Sequence, residues 1–195
     1  MSTAQREPGF QSPRITLSAP QTLVLPKPAA GGLIRLCMHD GILRISCLPN
    51  NDRPEITLAL TSSLEQGVFW YPNSAILQLE AISDSSFSVQ TASEINDTEY
   101  DFLNDWMFQL HSVRHAIKAE DRLLRLFKLL IRRFGKRTPE GYLLEFLLSH
   151  SRLGEIIGAT RSTVSRGIST LKQSNTISID ELRGQLTIPI NNSES

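Results

Sequence analysis

The chain has 195 residues, 40% of them hydrophobic and 21% charged, with 20 Lys and Arg against 20 Asp and Glu. That length supports one large domain or two small ones with a real core, so no disulfide or metal staple is required. The composition excludes a chain disordered throughout, and no apolar run approaches the roughly 20 residues of a membrane helix. The first 20 residues lack the apolar stretch of a secretory signal, so a cytoplasmic setting without membrane contact is expected. The zero net charge hides a split. Residues 1–111 carry six positive and twelve acidic side chains, a net of −6, and residues 112–195 carry fourteen and eight, a net of +6. A basic half on a neutral chain points to a polyanionic partner for that half.

Residues 1–20 are polar, with Pro8, Pro13 and Pro20, and read as a flexible arm. A region of short alternating segments follows, over 21–96. Leu33–Met38 and Ile42–Leu48 flank His39-Asp40-Gly41, the pattern of a hairpin. Such a hairpin sets Cys37 opposite Arg44 and Cys47 opposite Ile34, too far apart for a disulfide. Pro49–Asp52 is a turn, and strands are expected at Glu55–Leu60, Val68–Tyr71, Ile76–Ala81 and Phe87–Ala92.

The period then changes. Leu103, Trp106, Leu110, Val113 and Ile117 follow a strict 3-4-3-4 spacing, a seam that keeps one stripe facing a partner helix. Asp97, Glu99, Asp101 and Asp105 suit the start of such a helix. The spacing predicts a helix over 97–119, about 33 Å long, and favours a parallel homodimer over packing on the chain's own strands. Glu120 interrupts the stripe, Asp121 is a candidate N-cap, and the repeat resumes at Leu124, Phe127, Ile131 and Phe134 in a helix over 122–134 closed by Gly135. The expected division is therefore an arm (1–20), a β domain (21–96), a dimerisation helix (97–120) and a basic C-terminal domain (121–195).

In that domain a strand at Tyr142–Leu148 precedes two helices, about 150–157 and 161–173, joined by Gly158-Ala159-Thr160. Two short helices around a tight glycine turn form a helix-turn-helix. Leu153, Ile156, Ile157, Val164, Ile168 and Leu171 face inward. Arg161, Ser162, Ser165, Arg166 and Ser169 face outward, where small residues let the backbone approach DNA and arginine grips guanine bidentately. Ser149 and Thr160 are the N-caps. Thr176–Ile179 and Gln185–Ile190 flank Asp180–Gly184 as a hairpin wing with Arg183 at its tip.

The segment LGEIIGATRSTVSRGISTLKQSNTISI closely resembles the winged helix-turn-helix of the CRP/FNR family of bacterial transcription regulators. Ile157, Gly158, Thr160, Arg161, Thr163, Val164 and Arg166 match its core motif. Upstream, DGILRIS, PEITLAL and LEQGVFW resemble the family's β-roll pattern, and FLLSHSRLGEIIGATRSTVSR is similar to the cyanobacterial global nitrogen regulator branch. The resemblance spans roughly residues 30–190. It implies an α+β chain: a degenerate, cupin-like jelly-roll β-roll, a long dimerisation helix and a winged helix-turn-helix. It implies a homodimer on a near-palindromic stretch of double-stranded DNA, with RNA polymerase or a regulatory protein as further candidate partners. Arg161, Ser162 and Arg166 are then the candidate base contacts. Ser149, Ser151, Thr160, Thr163 and Arg183 are the candidate phosphate contacts, with Arg122, Arg125, Arg132, Arg133, Lys136 and Arg137 adding positive surface.

The chain departs from the family where its cyclic-nucleotide binders place a glutamate and an arginine. Here that stretch reads GVFWYPNSAILQLEAISDSS, and no arginine occurs between Arg53 and Arg114. A buried phosphate without a cation is costly, so no cyclic-nucleotide binding is expected. Arg114, on the long helix, is in reach of an acidic effector. Cys37 and Cys47 are too few for an iron–sulfur sensor, and His111 and His115 read as a surface or interface pair. No cofactor, metal or catalytic residue is expected. A cupin-type enzyme is the poorer alternative, since only His39 lies in the β region.

Overall fold

A computed structural model describes residues 12–28, 32–49, 54–64, 67–92 and 100–190. The expected turn at 49–52 and the acidic Asp97 and Glu99 lie wholly or largely outside the described residues. Eight strands come first among the described residues: β1 (Ile15–Leu17), β2 (Thr22–Leu25), β3 (Leu33–Asp40), β4 (Ile42–Pro49), β5 (Ile56–Ser62), β6 (Gly67–Trp70), β7 (Ala75–Ala81) and β8 (Ser85–Thr91). They pair antiparallel into two sheets, ordered β1-β8-β3-β6 and β2-β7-β4-β5. Alternate residues of each strand point between the sheets. Leu36, Met38, Phe69 and Phe87 thereby meet Leu43, Ile45, Leu77 and Leu79, all almost fully buried.

Two features differ from expectation in this domain. First, β1 lies inside the segment read as an arm and pairs with β8. Second, β3 and β4 are not a hairpin, because they belong to different sheets. Gly41, at φ 78°, is a corner where the chain crosses from one sheet to the other. A Cβ there would run into the backbone of Asp84 and Ser85, where β7 crosses back to β8. The Ile42 N–H donates to Ser83 Oγ at 3.0 Å, and the Ile82 N–H donates to the Ile42 carbonyl at 2.9 Å. The two crossings thus hold each other. Cys37 consequently lies opposite Ser88, and Cys47 opposite Ile56 and Leu77, and both thiols are free.

The expected single helix over 97–119 is also corrected. Helix α1 runs Phe102–Arg114, with Asp101 accepting the Asn104 N–H at 3.1 Å as its N-cap. After a turn at 115–118, helix α2 runs Ala119–Phe134 with Lys118, not Asp121, at its N-cap. Helix α2 folds back antiparallel along α1. Trp106 stacks on Phe134 at 5.8 Å, Arg133 pairs with Asp105 and lies over Trp106, and Arg132 donates to Gln109 at 2.9 Å. Phe102 meets Phe69 edge-on at 5.4 Å.

The seam residues Leu103, Trp106, Leu110 and Val113 are therefore buried within this chain, whereas Ile117 sits in the turn and is 94% exposed. A 3-4-3-4 stripe needs a facing surface, and β5 and β6 of the same chain supply it together with α2, so the packing on the chain's own strands that the spacing disfavours is the one found. Gly135 closes α2 as expected, yet at φ −81°. It is required because a Cβ would meet the Ile131 carbonyl at 2.5 Å.

Strands β9 (Lys136–Arg137) and β10 (Gly141–Leu144), helices α3 (His150–Ile157) and α4 (Arg161–Gln173), and strands β11 (Ser178–Asp180) and β12 (Gln185–Pro189) complete the fold. The strand expected over 142–148 is shorter, and the wing is a four-stranded sheet ordered β11-β12-β10-β9. Leu153, Ile156, Ile157, Val164, Ile168 and Leu171 are buried, as their spacing predicts.

Candidate nucleic-acid interface

Local chemistry sets the two-helix unit. Ser149 caps α3 by accepting the Arg152 N–H at 3.2 Å. Gly158 ends it in the left-handed region at φ 67°, and the Ala159 N–H donates to the Gly154 carbonyl at 2.8 Å. Gly154 lies so close to the turn that a Cβ would meet the Ala159 carbonyl oxygen at 2.6 Å. Backbone cannot swing aside as a side chain does. Gly154→Ala is therefore expected to cost about 1–3 kcal/mol, measured as a lower urea midpoint with an unchanged slope.

Helix α4 starts where Thr160 Oγ1 accepts the Thr163 N–H at 3.2 Å. The same oxygen lies 3.0 Å from Ser162 Oγ and 2.9 Å from Thr163 Oγ1. Three hydroxyls thus gather on the turn whose free N–H groups favour an anion. Thr160→Ala should cost about 1 kcal/mol of stability, read by thermal unfolding, and should weaken binding to every DNA sequence alike.

The outward face of α4 follows from helical spacing. Arg161, Ser162, Ser165 and Arg166 are exposed and line one open concavity. Ser169 also faces outward, but its hydroxyl donates to the Ser165 carbonyl at 3.0 Å. The fold thus brings Arg161, Ser162, Arg166, Thr160 and Thr163 together at the start of α4. Ser149 and Ser151 are exposed one helix away, at the start of α3. Arg183 stands apart at the wing tip, 76% exposed and 3.7 Å from Asp180.

What anchors this unit is a cluster that the sequence pattern does not reveal. Arg44 is fully buried on the face of β4 that alternation assigns to solvent. It donates to Thr57 Oγ1, Glu55 and Glu80, each at 2.7 Å, and reaches Glu155 of α3 at 3.4 Å. Arg152 of α3 returns the contact, to Glu55 at 2.6 Å and Glu80 at 3.0 Å. The Thr57 N–H donates to Glu155 at 2.8 Å.

A carboxylate in the last turn of a helix opposes the helix dipole, so the place of Glu155 is explained by these partners. The carbonyl end of α3 is held as well. Arg114 donates to the Ile156 and Glu155 carbonyls at 2.6 and 2.8 Å, and Arg122 to the Ile157 carbonyl at 2.8 Å. Arg114 is thus committed to α3 rather than held for an acidic effector. Arg122 and Arg133 are likewise engaged within the chain.

Burial alone would push the Glu55 carboxyl up. Hydrogen bonds from Ser46, Arg44 and Arg152 outweigh it and lower its pKa from 4.5 to about 2. The folded value lies below the unfolded one, so this contribution is complete above about pH 4.5 and fades as pH falls toward about 2. Urea midpoints should therefore drop below about pH 4.5, and Glu55→Gln should flatten that drop while lowering stability at neutral pH.

Comparison with known proteins agrees with this geometry. Residues 122–191 match the family described as the Crp-like helix-turn-helix domain. The global nitrogen regulator of Synechocystis sp. is 28% identical over 136 residues, 70% of this chain and 52% of the relative. That of Synechococcus elongatus is 36% identical over 69 residues, 35% of this chain and 31% of the relative. The matched part thus spans about half the length of the first relative and a third of the second.

FixK2 from Bradyrhizobium japonicum has a TM-score of 0.66 at 17% identity, covering 91% of this chain and 92% of that one. A CRP/FNR-family transcriptional regulator from Thermus thermophilus has a TM-score of 0.63 at 14% identity, covering 90% and 93%. The chain thus carries a Crp-like helix-turn-helix domain over residues 122–191, and its fold is similar to that of CRP/FNR-family regulators.

Proposed function

We propose that the chain is a sequence-specific DNA-binding transcription regulator that acts as a cytoplasmic homodimer on a near-palindromic site. The observation that carries this reading is the open face of α4, with Arg161, Ser162, Ser165 and Arg166 on a helix whose other side is buried. In a dimer, two such helices enter successive major grooves about 34 Å apart. Arg161 and Arg166 read guanine edges. Ser162 offers a hydroxyl instead of a carboxylate, so it does not select cytosine through the amino group. Thr160, Thr163, Ser149, Ser151 and Arg183 hold phosphates on either side of that contact.

The β-roll works without a cyclic nucleotide. The space between its sheets is filled by Leu36, Met38, Phe69, Leu77 and Phe87, and Arg44, on the opposite face of β4, is bonded to three glutamates. A protein partner on the β-roll is the second reading. It is favoured by Val24 and Ile76, which stand exposed near each other on the paired strands β2 and β7. Selection of bound DNA from a random pool, with and without candidate metabolites, tests the proposal. It should return one symmetric site whose recovery no nucleotide alters. An unenriched pool would sink the reading.

A further inference from the structure

Helix α1 presents a second stripe, directly opposite its buried one. Asn104, Met107, Phe108, His111 and His115 fall within a narrow sector at 100° per residue, and all are exposed. Met107 is 48% and Phe108 67% exposed. Within the stripe, His111 Nε2 and His115 Nε2 point at each other across 2.9 Å, with rings 4.5 Å apart and almost perpendicular.

Two imidazole nitrogens that converge from positions i and i+4 are a ready chelate. Tetrahedral zinc with arms of about 2.0–2.1 Å needs its nitrogens roughly 3.3 Å apart. A small outward swing of either ring gives that separation. Among the described residues of one chain there is no third ligand, and a closed tetrahedral site needs four. An isologous contact between two α1 stripes would bring each side chain near the axis against its own counterpart. The histidines lie along the middle of the stripe, and Met107 and Phe108 give it the apolar surface that a second copy covers.

We infer that His111 and His115 form half of a zinc-type site completed by the same pair of a second copy, so that a divalent metal ion locks the dimer. Imidazole ligands favour Zn²⁺, Ni²⁺ or Cu²⁺ over Ca²⁺ or Mg²⁺. This replaces the expectation of no metal, and it rests on the homodimer proposed above.

The test uses the full chain stripped with a chelator. Zn²⁺ is titrated by calorimetry, mass is followed by sedimentation, and Co²⁺ substitutes as the spectroscopic probe. The expected result is one Zn²⁺ per two chains, a dimer that weakens on chelation, and the intense visible bands of tetrahedral Co²⁺. The His111→Asn/His115→Asn variant, altered only on the surface, should lose Zn²⁺ affinity by about 100-fold or more, while the metal-free variant melts at the temperature of the metal-free wild type. A stripped chain that stays fully dimeric and takes up no Zn²⁺ would overturn the metal site and leave the dimer standing. A chain that is monomeric with and without Zn²⁺ would overturn the dimer and this inference together.

Discussion

Arg166→Ala should abolish sequence-specific DNA binding while leaving much of the non-specific binding in place. Arg166 is exposed five residues beyond Arg161, on the side of α4 opposite the buried Val164, Ile168 and Leu171. No part of the core depends on it, so stability should not change. A bidentate arginine–guanine pair discriminates by about 1–3 kcal/mol, and two half-sites double that. The specific site should therefore weaken by at least about 30-fold. A scrambled duplex should weaken only through the lost charge, with a salt slope smaller by about one for each arm. Fluorescence anisotropy on both duplexes at two salt concentrations separates the two effects. Ser162→Glu supplies the contrast. A carboxylate accepts from the cytosine amino group, so this change should move the preferred base at one position rather than lower affinity throughout. An unchanged footprint with Arg166→Ala would remove α4 as the reader.

The helix-turn-helix was legible because each of its signals is local. Caps at Ser149 and Thr160, the left-handed Gly158 and the inward spacing of six apolar residues all act within a few residues of one another. Strand positions were legible for a similar reason, but their partners were not. Alternation says which side of β3 and β4 is apolar, and it reads the same whether the strands lie side by side or face each other across a core. The α1 stripe has the same ambiguity. Leu103, Trp106, Leu110 and Val113 demand a covering surface, and nothing in their spacing distinguishes α2 and the strands of the same chain from a second copy. Arg44 was the least legible residue. A charged side chain at an alternate strand position reads as solvent-facing until α3 is known to cover it.

Arg44→Met should be strongly destabilising. Two guanidiniums, Arg44 and Arg152, here face three carboxylates, Glu55, Glu80 and Glu155. Removing Arg44 leaves Arg152 as the remaining cation of the cluster and strands carboxylates in a site closed over by α3. Breaking a buried pair from one side costs about 3–5 kcal/mol, because the partner charge stays uncompensated. Arg44→Lys keeps the charge but loses the fork that serves Thr57, Glu55 and Glu80 at once, so it should fall between wild type and Arg44→Met. The double change Arg44→Met/Glu155→Gln should cost less than its two parts added, since it also removes a stranded charge. The cluster joins the β-roll to α3, so its loss should also split one unfolding transition into two, detected by circular dichroism and limited proteolysis. A single transition at the wild-type urea midpoint would show that Arg114 and Arg122, on the carbonyls at the end of α3, suffice to hold the halves together.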